Sequence, residues 1–476
     1  MKKIIRMMIS LILTFAIVMS LASCGNVGNE SSLNETANNS EVFDTVESET
    51  TSSSENETTS SSNTILRPGS VGSNSTTQGS SETGNSKTEW KEMLAKMPKE
   101  LRGTTITVYD WNDLSDYTGG AQVVENFTKE TGIKVKWVKG SYDHYTTEIS
   151  GRIAANKSPD IIRLVSGAQY RFLSLCQPLS VSEFDYSGSA WDKEVAKFYT
   201  VNGKQYAAAI ENTLFQDSKV YYYNKSYISE YNLQDPYQLF KEGKWTWSAF
   251  TDMCKQFNKV SGKKGVAWAF VQDYHSQLGV QHTYWDGTKY VNNMKNSSIV
   301  DAWKIVIPFV SDGLSTDTYY DEAVFTTGNA LFNVNGYHGM RKSDYHFKDM
   351  KAVGNLGVVP PPTVEGAENY IASEFEARAI CKGASNPKAV PYFLYYFFNA
   401  DNYDENVMFF DKTALEVYKY CRGFSNKVCV PDLLSKSDIE ELVKLPVDQM
   451  PGLLDRKYNT IQAAVDDENS KLATLK

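Results

Sequence analysis

KVYYYNKSYISEYNLQDPYQLFKEGKWTWSAFTDMCKQFNK, residues 219–259, is the stretch whose reading decides the fold. It opens as a strand over Val220 to Tyr223, one β-branched and three aromatic residues that suit a buried pleated surface. Asn224 ends the strand, a short helical segment follows, and Asp235-Pro236 punctuates the chain. Thr246 is placed to cap a helix in which Phe250, Met253, Cys254 and Phe257 fall at i, i+3, i+4 and i+7 on one face. Strand, break and amphipathic helix together describe an α/β crossover.

The wording of this stretch goes further. "YYYNK", a "DPY" break and "GKWTWSAF" resemble the central signature of extracellular solute-binding proteins of family one, the mostly sugar-binding receptors of ATP-binding-cassette importers. The resemblance implies that this segment carries the chain from a first lobe into a second.

Upstream of it, Lys87 to Met97 reads as a short amphipathic helix. Thr105 to Tyr109 alternates as a strand, Ala121 to Lys129 is helical with Val123, Val124 and Phe127 on one face, and Ile133 to Val138 is a second strand. A helix over Tyr145 to Asn156 and a strand over Asp160 to Val165 complete parallel βαβ units. "FTKETGIKVKWV" and "ANKSPDIIRL" match the same family. Asn202-Gly203 marks a tight hairpin within Val201 to Ala209, and "NGKQYAAAI" resembles a family element whose usual closing proline is here Ala208 or Ala209. Downstream, Val266 to Phe270 reads as a strand, "YWDGTKYVNN" resembles an exposed Asp-Gly hairpin, and a helix over Ser298 to Asp312 carries Pro308, which should kink it. "FTTGNALFNVNGYHG", "GNLGVVPPP" and "SNPKAVPYFLYYF" continue the likeness. Asn386-Pro387 supplies an N-cap with proline at N1 for a helix to Asn399. The likeness runs from about Gly103 to Asn399; beyond it, Ser437 to Lys444 and Asp455 to Asp467 read as helices.

The start of the chain has a different character. MKKIIRMMISLILTFAIVMSLASC joins a basic head, an apolar run from Met7 to Met19 and a small-residue exit, the pattern of a secretion signal too short to span comfortably. Leu21-Ala22-Ser23-Cys24 resembles the bacterial lipobox, which implies cleavage before Cys24 and lipid attachment there. Several acyl chains give a stable anchor, each buried CH₂ contributing about 0.8 kcal/mol. From Gly25 to about Lys87 the chain is Ser, Thr, Asn, Glu and Gly, with Phe43 its only aromatic. Such a segment cannot offset its ordering entropy by burial and reads as a disordered tether spanning on the order of 45 Å.

The formal charge of −9 divides unevenly: residues 1–23 carry +3, residues 24–87 carry −7, and the remaining body carries only −5. Nothing in it resembles the basic stripe a phosphate backbone needs, which sets nucleic acid aside as a partner. Six cysteines become one attachment point and five others, with no CxxC, which argues against a zinc ribbon or a disulfide framework. Cys254 reads as an inert core thiol. The spacing leaves open a pairing of Cys421 with Cys429.

No GxSxG, HExxH, GxxxxGK[ST] or GxGxxG occurs. The histidines 144, 275, 282, 338 and 346 lack ligand spacing, so neither metal nor cofactor is expected. Glu374 and Glu376 could imitate a glycosidase acid and base, a weak signal among 57 acids. The abundant chemistry is aromatic, 29 Tyr and 9 Trp. Ligands of open α/β sheets bind at strand C-termini, where aromatics stack on sugar faces and polar groups meet hydroxyls. Family resemblance then places ligand contacts at Trp111 and Asn112, at Gly167, Ala168 and Gln169, at Glu211 and Asn212, at Trp285, at Tyr337 and His338, and at Glu374. The same residues also suit plainer roles: Trp111, Trp285 and Tyr337 as packing, Gln169 and Glu211 as surface groups. Asp160 reads as a structural cap, and Tyr221 to Tyr223 as core.

The expected architecture is a two-lobed α/β fold of the periplasmic-binding type (type II), with a hinge and an interlobe cleft. Residues 1–23 form the signal and 24–88 the tether; 89–212 with 368–412 form the first lobe, and 213–367 with 413–476 the second. The expected function is a monomeric, lipid-anchored receptor on the outer face of the cell membrane, delivering a carbohydrate to the permease subunits of an ATP-binding-cassette importer. A glycan-active enzyme, a carbohydrate-binding surface protein and a sensor subunit remain as alternatives.

Overall fold

A computed structural model describes residues 83–475, apart from 166, 168, 181–183, 212, 216, 268–274, 317–321, 367, 424–426, 430–432, 434–440 and 442–449. The signal, Cys24 and the tether as far as residue 82, together with Ala168, Asn212, most of the strand expected over Val266 to Phe270 and most of the helix expected over Ser437 to Lys444, lie outside the described residues, whereas residues 83–88, expected as the end of the tether, are helical.

Helix α1 (Thr83–Lys96) precedes β1 (Thr105–Asp110), α2 (Gly120–Thr131), β2 (Lys134–Lys139), α3 (Tyr145–Ala154) and β3 (Ile161–Leu164). β1 pairs in parallel with both β2 and β3, the register running Thr105↔Lys134 to Asp110↔Lys139 and Val108↔Ile161. The βαβ units read from the sequence are therefore present. Alternation sends Ile106 and Val108 to one face and Tyr109 to the other, and all three are buried, because helices cover both sides of the sheet. Asp160 does what its type suggests at a turn: its carboxylate accepts from the Thr107 and Asn386 amides and from the Ser385 hydroxyl.

A hairpin follows, β4 (Thr200–Val201) and β5 (Lys204–Gln205), turned by Asn202 at φ 51° and Gly203 at φ 73°. That double left-handed pair is what an Asn-Gly turn supplies. β6 (Ala207–Ala208) joins the first sheet, and the chain then crosses to β7 (Asp217–Asn224).

β7 is the spine of the second sheet. One edge carries β11 (Ala330–Gly336), antiparallel; the other carries β13 (Ile371–Glu374) at its start and β12 (Leu356–Val359) along its remainder. Both faces are buried, so Val220, Tyr221, Tyr222 and Tyr223 are all core. Each tyrosine hydroxyl finds a partner, as buried phenols require: Tyr221 accepts from Gln277, and Tyr222 and Tyr223 donate to the Gly336 carbonyl and to Asp235. Asn224 and Asp235 cap the short helices that follow. Thr246 caps α4 (Trp247–Ser261), accepting from the Ala249 amide. Phe250, Met253, Cys254 and Phe257 are the buried stripe of α4, with Phe250 touching Trp245, Trp247, Phe309 and Phe332.

β8 (Lys264–Val266) extends the second sheet in parallel with β11. β9 (Thr283–Trp285) and β10 (Tyr290–Asn292) form the expected Asp-Gly hairpin, and Asp286 accepts from the Thr288 and Lys289 amides across its turn. Helix α5 (Ser297–Ser311) comes next. The chain returns through β13 to β14 (Ala377–Ile380), which pairs antiparallel with β3 and β6. The sheets thus read β2-β1-β3-β14-β6 and β15-β13-β7-β11-β8, where β15 (Lys427–Cys429) pairs in parallel with β13.

Helix α6 (Val390–Phe398) differs from its expected start. Pro387–Ala389 forms a 3-10 turn first, and Asn386 makes no capping bond, because its amide donates to the Thr104 hydroxyl instead. Helix α7 (Lys412–Arg422) carries Cys421, a free buried thiol, which removes the pairing with Cys429. Cys254 is likewise free, and burial holds its thiol well above the usual range. Helix α8 (Met450–Ala473) includes the stretch expected from Asp455 and touches both sides of the molecule. Asn469 bonds Tyr290 in the second-sheet hairpin, while Glu468 accepts from the Tyr170 amide and the Leu472 carbonyl from Asn202 beside the first sheet. Among the described residues no helix is long and apolar enough to cross a membrane.

Phe250→Ala should lower unfolding stability by about 3–5 kcal/mol, through lost burial and the cavity left. Thr246→Ala should cost about 1 kcal/mol through the lost cap. Urea titration followed by circular dichroism measures both, and the ranking Phe250 over Thr246 is the outcome that matters.

Candidate functional site

The two crossings run side by side. β13 meets the start of β7 with Ser373 opposite Ser218 and Glu374 opposite Asp217, and the two serine hydroxyls bond at 2.9 Å. Phe375 and Glu376 alone separate β13 from β14, so these two residues carry the return from the second sheet to the first.

Around Glu376 the first sheet builds a closed ring of charge. Asp110, fully buried at the end of β1, faces Arg163 of β3 at 3.3 Å and Arg378 of β14 at 3.3 Å. Arg163 and Arg378 each reach a different oxygen of Glu376, at 2.5 and 2.8 Å. Two carboxylates and two guanidiniums alternate, and the Tyr117 hydroxyl donates to Asp110 at 3.1 Å. Ions so removed from water persist only when paired on every side. Burial works against the charge of Arg163, but Glu376 and Asp110 outweigh it and raise its pKa.

Trp111 lies on this ring. The Arg163 guanidinium stands 4.2 Å from its ring centre, and Tyr142 and Tyr145 meet it edge-on. Asn112, beside it, serves the loop: its amide donates to Asp110 and its carbonyl accepts from the Trp137 indole at 2.9 Å.

A second group continues from the ring on the β7 side. Lys219 faces Glu374 at 3.4 Å, and His338 Nδ1 lies 3.1 Å from Asp217. Burial raises the Glu374 pKa and its acidic neighbours Asp217 and Glu376 raise it further, against Lys219. For His338, burial works to discharge the ring, but Asp217 and Asp344 outweigh it and raise its pKa. Asp217 is held below the usual carboxylate range: burial opposes its charge, and His338, Lys219 and Arg341 more than compensate. His346 packs 4.7 Å from His338 and pairs with Asp344 at 2.6 Å.

The third group joins the Gly167 loop to the β9–β10 hairpin. The Tyr290 hydroxyl donates to the Gly167 carbonyl at 2.5 Å, and Trp285 packs edge-on against Tyr290. Gln169 is 1 % exposed; its amide nitrogen donates to the Phe198 carbonyl while its oxygen is buried with no partner among the described residues, as is the Trp285 indole nitrogen. Phe198 packs on Phe375, and the Phe375 carbonyl accepts from Tyr199.

Of the residues expected at a site, then, Trp111, Glu374 and His338 fall along one line of contacts through the crossing. Gly167, Gln169 and Trp285 form a neighbouring group that reaches the same crossing at Phe375. Tyr337, immediately before His338, is 5 % exposed and packs on Tyr418 beside Ser218 of the crossing. Glu211 is exposed at the first crossing, its amide bonded to the Ala190 carbonyl. The sequence reading missed Asp110, Arg163, Arg378, Asp217 and Lys219. A lone arginine within an apolar strand, as in Ile161–Leu164 and Ala377–Ile380, demands a buried acid nearby, and that signal was available. Among the described residues no group of three or more His, Cys, Asp or Glu side chains is arranged to hold a metal.

Residues 122–411 match the family model described as bacterial extracellular solute-binding protein. The chain belongs to that family. No curated protein matches it by sequence. Among solved structures, this solute-binding protein is similar to the cyclic alpha-maltosyl-1,6-maltose binding protein of Arthrobacter globiformis, with 14 % identity over 77 % of this chain and 98 % of that one, TM-score 0.58. The sugar-binding protein MalE of Xanthomonas citri gives 15 %, 77 %, 98 % and 0.56. The GacH receptor of Streptomyces glaucescens GLA.O gives 16 %, 76 %, 99 % and 0.52. At these identities the likeness shows the fold, the two-lobed one expected of a solute-binding protein.

Removing one member of the ring leaves a buried ion uncompensated. Arg378→Ala should therefore destabilise this solute-binding protein by about 3–5 kcal/mol, read by denaturant unfolding. The His338–Asp217 pair sets a pH dependence with two limbs. The raised His338 pKa contributes stability that is full below its unfolded value of about 6.5 and fades as pH rises through the folded value. The lowered Asp217 pKa contributes stability that is present above about 3.9 and fades as pH falls through its folded value. Thermal unfolding between pH 5 and 9 should show the alkaline loss in the wild type and a flatter profile in His338→Ala.

Proposed function

We propose that this chain is a lipid-anchored extracellular receptor that closes two lobes on a carbohydrate, an oligosaccharide by preference, and hands it to the permease of an ATP-binding-cassette importer. In this reading the first lobe comprises 89–212 with 368–412, less β13 (Ile371–Glu374), which pairs with β7 in the second sheet. The second comprises 213–367 and much of the C-terminal part. Trp111 from the first lobe and Trp285 from the second stack on the faces of the sugar. Gln169, Glu374 and His338 meet its hydroxyls, with Lys219 and Arg163 beside them.

The observation that carries the reading is the line of contacts running from Trp111 through the charge ring to Glu374 and His338. It sets an aromatic face and hydrogen-bonding groups around a crossing only two residues long. Family membership supports it, as do the fold neighbours: the GacH receptor was solved with acarbose, and the Arthrobacter protein binds a cyclic maltosyl-maltose. A guest that touches both lobes adds contacts only the closed state can make, so closure follows from differential affinity. Both oxygens of Glu376 are committed to guanidiniums, which leaves the Glu374–Glu376 pair poorly suited to shuttling protons and favours a receptor over a glycosidase. Secretion and anchoring rest on the basic-apolar leader and Cys24.

A thermal-shift screen across mono- and oligosaccharides tests the reading. A ligand at about 100 times its Kd stabilises the protein by about 2.7 kcal/mol. The expected result is a shift with an oligosaccharide that survives incubation uncleaved, weakened at least about tenfold (about 1.4 kcal/mol) by Trp111→Ala. Release of sugar products would replace the receptor with an enzyme. Cys24→Ala should move the protein from the membrane fraction to the medium; retention on the membrane would remove the anchor from the account.

A further inference from the structure

Away from the crossings, three cations from three successive segments border one open recess of about 370 Å³ on the first sheet: Lys139 at the end of β2, Arg152 in α3, and Lys157 in the loop after α3. β2 is the edge strand, so the recess opens to the outside of the sheet. Among the described residues none of the three forms an ion pair within 4 Å, although Arg152 acts through space on Glu148. The one acid in the wall is already engaged. Glu148 accepts from the Tyr109 hydroxyl and from the Ser141 amide, and these bonds, Tyr109 first, hold its pKa below the usual range. The Arg152 guanidinium is laid 4.6 Å from the Tyr109 ring centre, so the floor of the recess fixes one of its cations.

Two glycines line the recess. A Cβ at Gly140 would overlap the Tyr109 ring, so that glycine is needed for packing. Gly151 is different. It sits inside α3 with ordinary helical backbone, and a Cβ there would meet nothing within 4 Å. Glycine in a helix interior is less stable than alanine by about 1 kcal/mol, and neither packing nor a positive φ requires it here. A side chain there would enter the open space of the recess that Arg152 also lines.

We propose that this recess is a second binding site, separate from the one between the lobes, for a phosphate-type oxyanion. Its cations act as point charges and a planar fork toward the anion oxygens, and its volume admits a phosphate group with part of what it is attached to. Free inorganic phosphate and the phosphodiester of an anionic lipid headgroup share this chemistry.

The test uses the full chain carrying Cys24→Ala, so that no anchor confounds membrane binding. Calorimetric titration with inorganic phosphate at fixed ionic strength is paired with co-sedimentation on phosphatidylglycerol vesicles, phosphatidylcholine vesicles serving as the control. One-to-one phosphate binding, unchanged in Gly151→Ala and reduced at least tenfold in Gly151→Glu and in the Arg152→Ala/Lys157→Ala double variant, is expected of a free-anion site. Binding to phosphatidylglycerol with the same variant pattern, and weak binding of inorganic phosphate, assigns the headgroup as the source. Gly151→Glu places its acid in open space on a helix and should fold at least as well as the wild type, which circular dichroism checks. No binding of either probe, or binding that these variants leave unchanged, overturns the site and leaves the lysines as solvation of an edge strand. Oligosaccharide binding measured on the same variants stays at the wild-type level, so failure here is distinguishable from failure of the receptor reading.

Discussion

The interaction on which the rest of this structure depends is the closed ring of Asp110, Arg163, Glu376 and Arg378. It binds the ends of β1 and β3, the start of β14 and the second crossing into one neutral unit. Buried ions are costly unless fully paired, so the ring tolerates little rearrangement. The crossing at Phe375–Glu376 is fixed to the first sheet by charge and to its neighbours by the Phe198 ring and the Tyr199 hydroxyl. The second sheet attaches where β7 and β13 begin and end side by side. The proposed closure would therefore turn on a few residues whose side chains are already committed.

That arrangement explains the division of labour along β7. Its middle, Val220 to Tyr223, is buried on both faces and belongs to packing alone. Its first residues, Asp217 to Lys219, belong to the crossing, where Asp217 meets His338 and Lys219 meets Glu374. A Cβ on Gly336 would overlap the Asp217 carboxylate, so the end of β11 is shaped to let that acid reach the histidine. The packed middle of β7 thus adjoins its crossing residues directly, within one strand.

Much of the fold was legible in the sequence. The alternation in Thr105–Asp110, the i, i+3, i+4, i+7 stripe of α4 and the Asn-Gly turn each state their structure locally, and tertiary packing agrees with them. The start of α6 was not legible, because the competing bond from Asn386 to Thr104 joins residues 282 positions apart. The site divides in the same way. Trp111, Gln169 and Trp285 follow strands or turns, where position alone suggests exposure to a ligand. The ring that supports Trp111 is made of residues brought together only by strand order, and nothing local to Arg163 names Glu376 as its partner. Tyr337 is placed by packing from a distant part of the chain. A tyrosine after a strand reads as a stacking face, but the packing of α7 against that turn buries it on Tyr418.

The central claim is that two lobes move as bodies about the crossings when a sugar enters between them. Pulsed dipolar spectroscopy between spin labels on Asp143, in the exposed loop after β2, and Lys304, exposed on α5, measures it most directly. Saturation with an oligosaccharide that binds is expected to shift the distance distribution to a single, narrower population. A distribution identical with and without the bound sugar would contradict the account.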